Sequence, residues 1–372
     1  MRESILDRKR YSFVRELGDI REMNAIVNED MKYMYMYDKS IWEMLKGKTV
    51  FITGAYGMLP SYMVFMLIYL NELKQESYDI QIVVLVRNEE KLRKKFGEYI
   101  DKNYFHVLIG DMSQEICYDG DIDYVVHAAS PASSQYYNIN PVGVLLPNVL
   151  GTYYTLELAR KKGVKGYLYF SSGEIYGHVE KEIISEDDGG FLNPTDIRSC
   201  YGEGKRISET MCKCWHHQYR VPTFMVRTSH SYGPTMDLEN DKRVFAEFVS
   251  NVVNNQNIAI KSDGLAIRSF CYIVDAVLGF FIILLRGEPG EAYNLANEDG
   301  RCSIRELGEM LCEMYPEKGL KVCYEQHRVD CMENAQKIHS VYSTKKLEQI
   351  GWKPCFDIRV GFERTIKSFS SK

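Results

Sequence analysis

Tyr201 and Lys205 stand four residues apart in Tyr201-Gly202-Glu203-Gly204-Lys205. On a helix that spacing places a phenol and an ammonium on one face. A phenol with an ordinary pKa of about 10 is a poor base at neutral pH. A neighbouring cation stabilises its anion and pulls the pKa down. Upstream, Ser171-Ser172-Gly173-Glu174-Ile175-Tyr176-Gly177 offers a hydroxyl at Ser172 and a carboxylate at Glu174. Ser172 suits a hydrogen bond to a substrate hydroxyl that Tyr201 deprotonates. Glu174, two residues after Ser172, is either a working carboxylate of the same site or a structural carboxylate at a strand end. Standing alone, a Tyr-x-x-x-Lys could be two exposed helix residues.

A second group lies near the start. Thr53-Gly54-Ala55-Tyr56-Gly57-Met58-Leu59-Pro60 falls between an apolar β-branched run and an apolar helical run, where a Gly-rich turn gains meaning. Gly54 allows the tight turn. Gly57 lets backbone approach a pyrophosphate at the helix N-terminus, where free N–H groups favour anions. Tyr56 and Met58 complete the expected cofactor loop, and Pro60 replaces a third glycine in a first helical turn that tolerates proline. An oxidised nicotinamide held here would add positive charge beside Tyr201. The strand after the loop ends Leu85-Val86-Arg87-Asn88, with no carboxylate for a ribose diol. Arg87 would suit a 2′-phosphate, so these residues taken alone favour NADP over NAD. Asp111 either contacts the adenine or caps a turn.

These groups need a frame. The pattern predicts strands at Thr49–Ile52, Ile80–Val86, His106–Ile109, Tyr124–His127, Gly166–Ser171 and Thr223–Arg227. Helices are expected at Ser61 to Lys74, Lys91–Phe96, Val149 to Lys162 and Gly202 to Tyr219. The alternation predicts an α/β fold, a doubly wound parallel Rossmann sheet, with ligands at its carboxyl edge. The expected organisation is an N-terminal helical extension at 1–46 and a dinucleotide-binding domain at 47–227. A smaller C-terminal α/β substrate-binding domain follows at 228–372, with segments returning to the sheet. The extension is expected to pack on its own domain, with a partner contact as the alternative; its loosely helical pattern covers Phe13–Met34.

Composition narrows the classes. The chain has 372 residues, 45% hydrophobic and 12% aromatic, which excludes a mainly disordered protein. A net charge of −5 gives no electrostatic footprint for nucleic acid. Ten cysteines without a Cys-x-x-Cys pair predict reduced thiols and a cytoplasmic location. The start shows no signal peptide pattern, and the apolar runs Met63–Leu70 and Ala276–Leu285 are too short for a membrane span. Cys212, Cys214, His216 and His217 cluster in sequence, but such spacing points to different helix faces, so no metal site is expected.

From Lys48 onward the chain resembles the extended short-chain dehydrogenase/reductases of the nucleotide-sugar epimerase/dehydratase family. The markers are Thr53–Pro60, His127-Ala128-Ala129-Ser130, Asn148–Thr152, Ser172–Gly177, Tyr201 with Lys205, Arg227 with Tyr232-Gly233-Pro234, and Arg268–Asp275. Segment 127–132, Tyr201–Arg206 with Glu209–Cys212, and Gly351-Trp352-Lys353-Pro354 are similar to the UDP-glucuronate decarboxylases. The resemblance implies transient oxidation of a sugar C4 by bound NAD⁺, return of the hydride, and an epimer, a decarboxylated sugar or a dehydrated one. It implies that Arg268 holds the nucleotide diphosphate, and that two helices form a homodimer bundle. It also implies surface polysaccharide synthesis as the pathway class.

Four positions depart from the family pattern. Gly173 stands where 4,6-dehydratases carry an acid. His339 stands where decarboxylases carry an arginine. His230 replaces an asparagine, and is either a pocket residue or a satisfied core histidine. Thr235 replaces an arginine. Epimerisation needs the fewest extra groups and is placed slightly ahead of decarboxylation, with dehydration third. A net oxidoreductase consuming NADPH and a non-catalytic dinucleotide-binding protein are the competing classes.

Overall fold

The computed structural model describes residues 23–74, 76–132, 135–324 and 341–370. His339 lies outside them, as do Phe13 to Glu22 of the expected N-terminal helix pattern. In chain order the helices are α1 (Ala25–Tyr37), α2 (Lys39–Glu43), α3 (Met58–Asn71), α4 (Glu89–Phe96), α5 (Gln135–Ile139) and α6 (Pro141–Lys162). They continue with α7 (Cys200–Tyr219), α8 (Val244–Val253), α9 (Ile273–Arg286), α10 (Ile304–Met314), α11 (Lys345–Gln349) and α12 (Ile358–Ser370).

Seven strands make the central sheet: β1 (Thr49–Thr53), β2 (Gln81–Val86), β3 (Phe105–Ile109), β4 (Tyr124–His127), β5 (Gly166–Phe170), β7 (Thr223–Thr228) and β11 (Glu291–Leu295). Their order is 11-7-5-4-1-2-3 and every neighbouring pair is parallel. The inner strands are apolar along their length because helices cover both faces. The order reverses between β1 and β4, which opens a crevice at their carboxyl ends. The remaining strands are short. They are β6 (Ile183–Ile184), β8 (His230–Tyr232), β9 (Ile258–Ile260), β10 (Ile267–Tyr272), β12 (Arg301–Ser303), β13 (Val322–Tyr324) and β14 (Val341–Tyr342). Of these, β12, β10 and β8 form a three-stranded sheet; β13 pairs with β9, and β14 with β6.

Two helix starts differ from the sequence expectation by three residues or more. Helix α3 begins at Met58 rather than Ser61, since Gly57 takes the N-cap place and Ser61 N already donates to Gly57 O. Helix α6 begins at Pro141, eight residues before Val149. Asn140 caps it by accepting from Gly143 N, and Pro141 sits where no N–H is needed. Gly143 and Pro147 are poor helix formers at positions inside this helix. Packing along α7 overrides them, with Ser208 Oγ donating to Asn148 O at 2.6 Å.

Beyond Arg227 the chain returns to the main sheet. Strand β11 pairs with β7 from Glu291↔Phe224 to Leu295↔Thr228. Helix α9 packs Phe280 against Phe170 of β5, ring centres 4.4 Å apart and tilted by 48°. The N-terminal helices join the same layer. Val27, Met31, Met34 and Tyr35 form the buried stripe of α1, and Trp42 sets its ring edge-on to Phe281 of α9 at 5.2 Å.

Candidate active site

The floor of the crevice is set by Thr53, the last residue of β1. Its Oγ1 accepts from the Ala128 and Ala129 N–H groups at 3.0 and 3.1 Å. Its own proton is then left for His127 Nδ1, 3.1 Å away at the end of β4. Burial, with the Lys205 charge adding to it, holds the His127 imidazole down at about 3, so the ring is neutral. Gly54 turns the chain at φ +68, and a Cβ there would come within 2.9 Å of Ala129 Cα. Only glycine fits that approach. Gly57 N-caps α3 with no side-chain cap, which leaves the first N–H groups of the helix facing the crevice.

The other residues expected at the cofactor are spread around this loop. Tyr56 and Met58 are half-buried in it, and Met58 O accepts from Thr235 Oγ1 at 3.0 Å. Arg87 is exposed just past β2. Asp111 is exposed after β3, with one carboxylate oxygen accepting from Ser113 N at 2.7 Å.

Tyr201 lies in the first turn of α7, and Lys205 one turn later; both are buried. Their shared face is turned to the end of β5, where Lys205 Nζ donates to Phe170 O at 2.5 Å. Burial pulls the Lys205 ammonium down to about 7 against the Glu209 charge. Burial likewise pushes the Tyr201 phenol up to about 12; the Ser172 hydroxyl bonds it and opposes the rise, Glu174 adds to it, and Arg243 opposes it. Tyr137 stacks on Tyr201 at 5.1 Å and 13°, which fixes the ring. Ser172 Oγ accepts from Glu174 N at 3.2 Å and so caps the single turn that carries Glu174 into the open cleft.

The structure thus brings Ser172, Glu174, Tyr201 and Lys205 together. His230 and Arg268 lie one strand apart on β8 and β10. His230 is surrounded by protein mass yet keeps an open surface, as befits a residue lining a cleft. Desolvation, then the Arg268 and Arg243 charges, push its imidazole pKa down.

The sequence pattern of the NAD dependent epimerase/dehydratase family matches residues 50–296. The chain belongs to this family. Among curated relatives, UDP-glucuronic acid decarboxylase 6 of Arabidopsis thaliana is 29% identical over 84% of this chain and 86% of its own. Among solved structures, an epimerase of Methanothermobacter thermautotrophicus superposes with a TM-score of 0.74, at 24% identity, over 89% of this chain and 94% of its own. The UDP-glucose 4-epimerase of Thermotoga maritima, solved with UDP-glucose, gives 0.71 at 20% identity over 86% and 98%. The seven-stranded sheet is the fold of these relatives.

Sequence reasoning passed over several residues that this epimerase/dehydratase chain places at the site. Arg243 caps α8 and is held by Asp241, yet its charge reaches both Tyr201 and His230. No spacing rule links position 243 to 201. Glu209 is one turn beyond Lys205 and forms a buried pair with Arg227, at 3.0 and 2.7 Å. Ser171 Oγ donates to the same carboxylate at 2.5 Å, and Arg227 also donates to the Tyr176 hydroxyl at 2.9 Å. This network clamps both ends of the Ser171–Tyr176 segment. The i+4 spacing from Lys205 was the available signal for Glu209. The Cys212–His217 cluster separates as its spacing implied: Cys212 is buried, Cys214 exposed, and His216 Nδ1 is bonded to Val221 O.

Proposed function

We propose that this protein is a redox-neutral nucleotide-sugar epimerase that works through transient oxidation at the sugar C4. The observation that carries the reading is the convergence of Ser172, Tyr201 and Lys205 at the carboxyl edge of the sheet, beside an uncapped helix N-terminus. NAD would supply the hydride acceptor and later the donor. Its pyrophosphate fits the Gly54–Met58 loop, where the approach to Ala129 has no room for a Cβ at position 54. In this reading Arg87 and Asp111 would meet the ribose and the adenine, and Arg87 keeps NADP as the alternative.

In this reading Ser172 hydrogen-bonds the C4 hydroxyl and Tyr201 Oη takes its proton. A protonated Lys205, its Nζ 5.6 Å from the centre of the Tyr201 ring, and the oxidised cofactor would together offset the burial that otherwise holds Tyr201 protonated. Arg268 holds the diphosphate, and His230, kept neutral, contacts the sugar or phosphate without adding charge. Epimerisation follows when the keto group is reduced again from the other face. It requires no group beyond these.

A second reading is decarboxylation of UDP-glucuronate, favoured by the likeness to the decarboxylase of Arabidopsis thaliana. Glu174 would then act beside C5.

The helix pair α6 and α7 exposes Val142, Leu146, Tyr153 and Ile207. We infer a homodimer through this face. Buried Cys212 and Cys271 are free thiols, which supports a reducing, cytoplasmic setting.

The test is product analysis after incubation with NAD⁺ and a panel of UDP-, dTDP-, CDP- and GDP-sugars, UDP-glucuronate included. A product of unchanged mass and new retention time is expected. Loss of carbon dioxide would establish the second reading. Tyr201→Phe should lower the rate by about 10²–10⁴-fold. No turnover of any sugar, or full turnover in that variant, would sink the mechanism.

A further inference from the structure

Gly173 sits between the two cleft residues Ser172 and Glu174, and its backbone is not in the left-handed region. Glycine is therefore required there for space rather than for conformation. The space is taken by Tyr342. A Cβ at position 173 would collide with the Tyr342 hydroxyl and come within 2.5 Å of its Cζ. Tyr342 arrives from a distant part of the chain, through the β14–β6 pairing of Val341↔Ile183 and Tyr342↔Ile184. Its ring lies 5.4 Å from that of Tyr176, at 34°, so it is braced. The charges that act on its hydroxyl are Glu174 and Arg268. Burial first, then Glu174, push that phenol up to about 12, with Arg268 opposing, so it is a neutral hydrogen-bond donor at pH 7. The described residues give its hydroxyl no hydrogen-bond partner.

We propose that Tyr342 is a specificity-determining residue of the sugar site, its hydroxyl hydrogen-bonding the substituent on C5 of the pyranose. The inference rests on the reading above, in which O4 of a nucleotide sugar sits between Ser172 and Tyr201. The proposal seats the ring with its C5 side toward Gly173 and Glu174. The gap left by a missing side chain at 173 then becomes a place where a phenol from β14 meets the substrate. The sugars selected are those with an oxygen on C6, whether hydroxymethyl or carboxylate.

The experiment is calorimetric binding of UDP, UDP-glucose and UDP-xylose, which lacks C6, to the NAD⁺-loaded protein and to its Tyr342→Phe variant. Loss of one hydrogen bond predicts about a tenfold weaker binding of UDP-glucose, with UDP and UDP-xylose unchanged. An equal loss for both sugars, or for UDP itself, would overturn the proposal, as would no loss for either. Gly173→Ala provides a second route, because the added methyl displaces the Tyr342 ring. It should erase the same preference for UDP-glucose over UDP-xylose, and a preference retained in that variant also counts against the contact. If the unmodified protein binds UDP but neither sugar, the nucleotide-sugar reading falls and this inference with it. If it binds the sugars and only the variant comparison fails, the inference about Tyr342 falls alone.

Discussion

Glu209 shows how one carboxylate serves several tasks. It pairs with Arg227, accepts from Ser171 and opposes the fall in the Lys205 pKa. Both partners of the pair are nearly solvent-free, with side chains 10% and 11% exposed. Removing one charge of such a pair leaves the other uncompensated. Glu209→Gln should therefore cost about 3–5 kcal/mol of stability by chemical denaturation. Its effect should also reach turnover, because the Ser171–Tyr176 segment loses its anchor. A variant as stable as the parent would show that Arg227 finds another acceptor, such as Glu186 O, which it already touches at 2.7 Å.

At the scale of elements, the segment after Trp352 is tied to the start of α9. Asp275 accepts from Cys355 N at 2.9 Å and Phe356 N at 3.1 Å, and Trp352 Nε1 donates to Asp275 O. Burial pushes the Asp275 carboxyl up to about 7, although the two N–H groups oppose it. Between about pH 4 and 7 the folded state then binds more protons than the unfolded one, so stability falls as pH rises through that window. Asp275→Asn does not titrate. Its thermal midpoint should change less between pH 5 and 8 than that of the parent, even where it is lower overall. Parallel profiles would place the charge of Asp275 in the folded state at all these pH values. A similar tie joins α1 to α12, where buried Asp30 takes Arg364 at 2.6 Å and the Tyr272 hydroxyl at 2.6 Å. Tyr62 of α3 bonds the same carboxylate.

For the whole molecule, the question is how the site is held against solvent and against a second copy. Helix α6 carries Asn148 against Ser208 on its inner side, while Val142, Leu146 and Tyr153 face outward. Tyr201 lies in the first turn of the neighbouring helix, so a dimer through this face would brace the turn that carries it. Leu146→Lys should convert the inferred dimer to a monomer in sedimentation. A parent protein that sediments as a monomer at micromolar concentration would refute the dimer.

Much of the frame could be read from the chain, because strands buried on both faces leave continuous apolar runs such as Ile82–Val86. The Gly54–Gly57 turn and the Tyr201–Lys205 spacing were legible for the same reason: local geometry dictates those residue types at those intervals. The early start of α6 was not legible, since Gly143 and Pro147 obey packing on α7 rather than helix propensity. The return of β11 to the sheet was foreseen only in outline. Its five residues carry no mark of which strand they will join until β7 stands as the exposed edge. Arg243 and Tyr342 reach the cleft from strands and helices far along the chain, and no interval in the sequence links them to Tyr201 or Gly173. Side chains distant in sequence meet only when the sheet and its outlying strands fix their positions. The sequence by itself determined the chemistry available, and the tertiary structure decided which groups share a cleft.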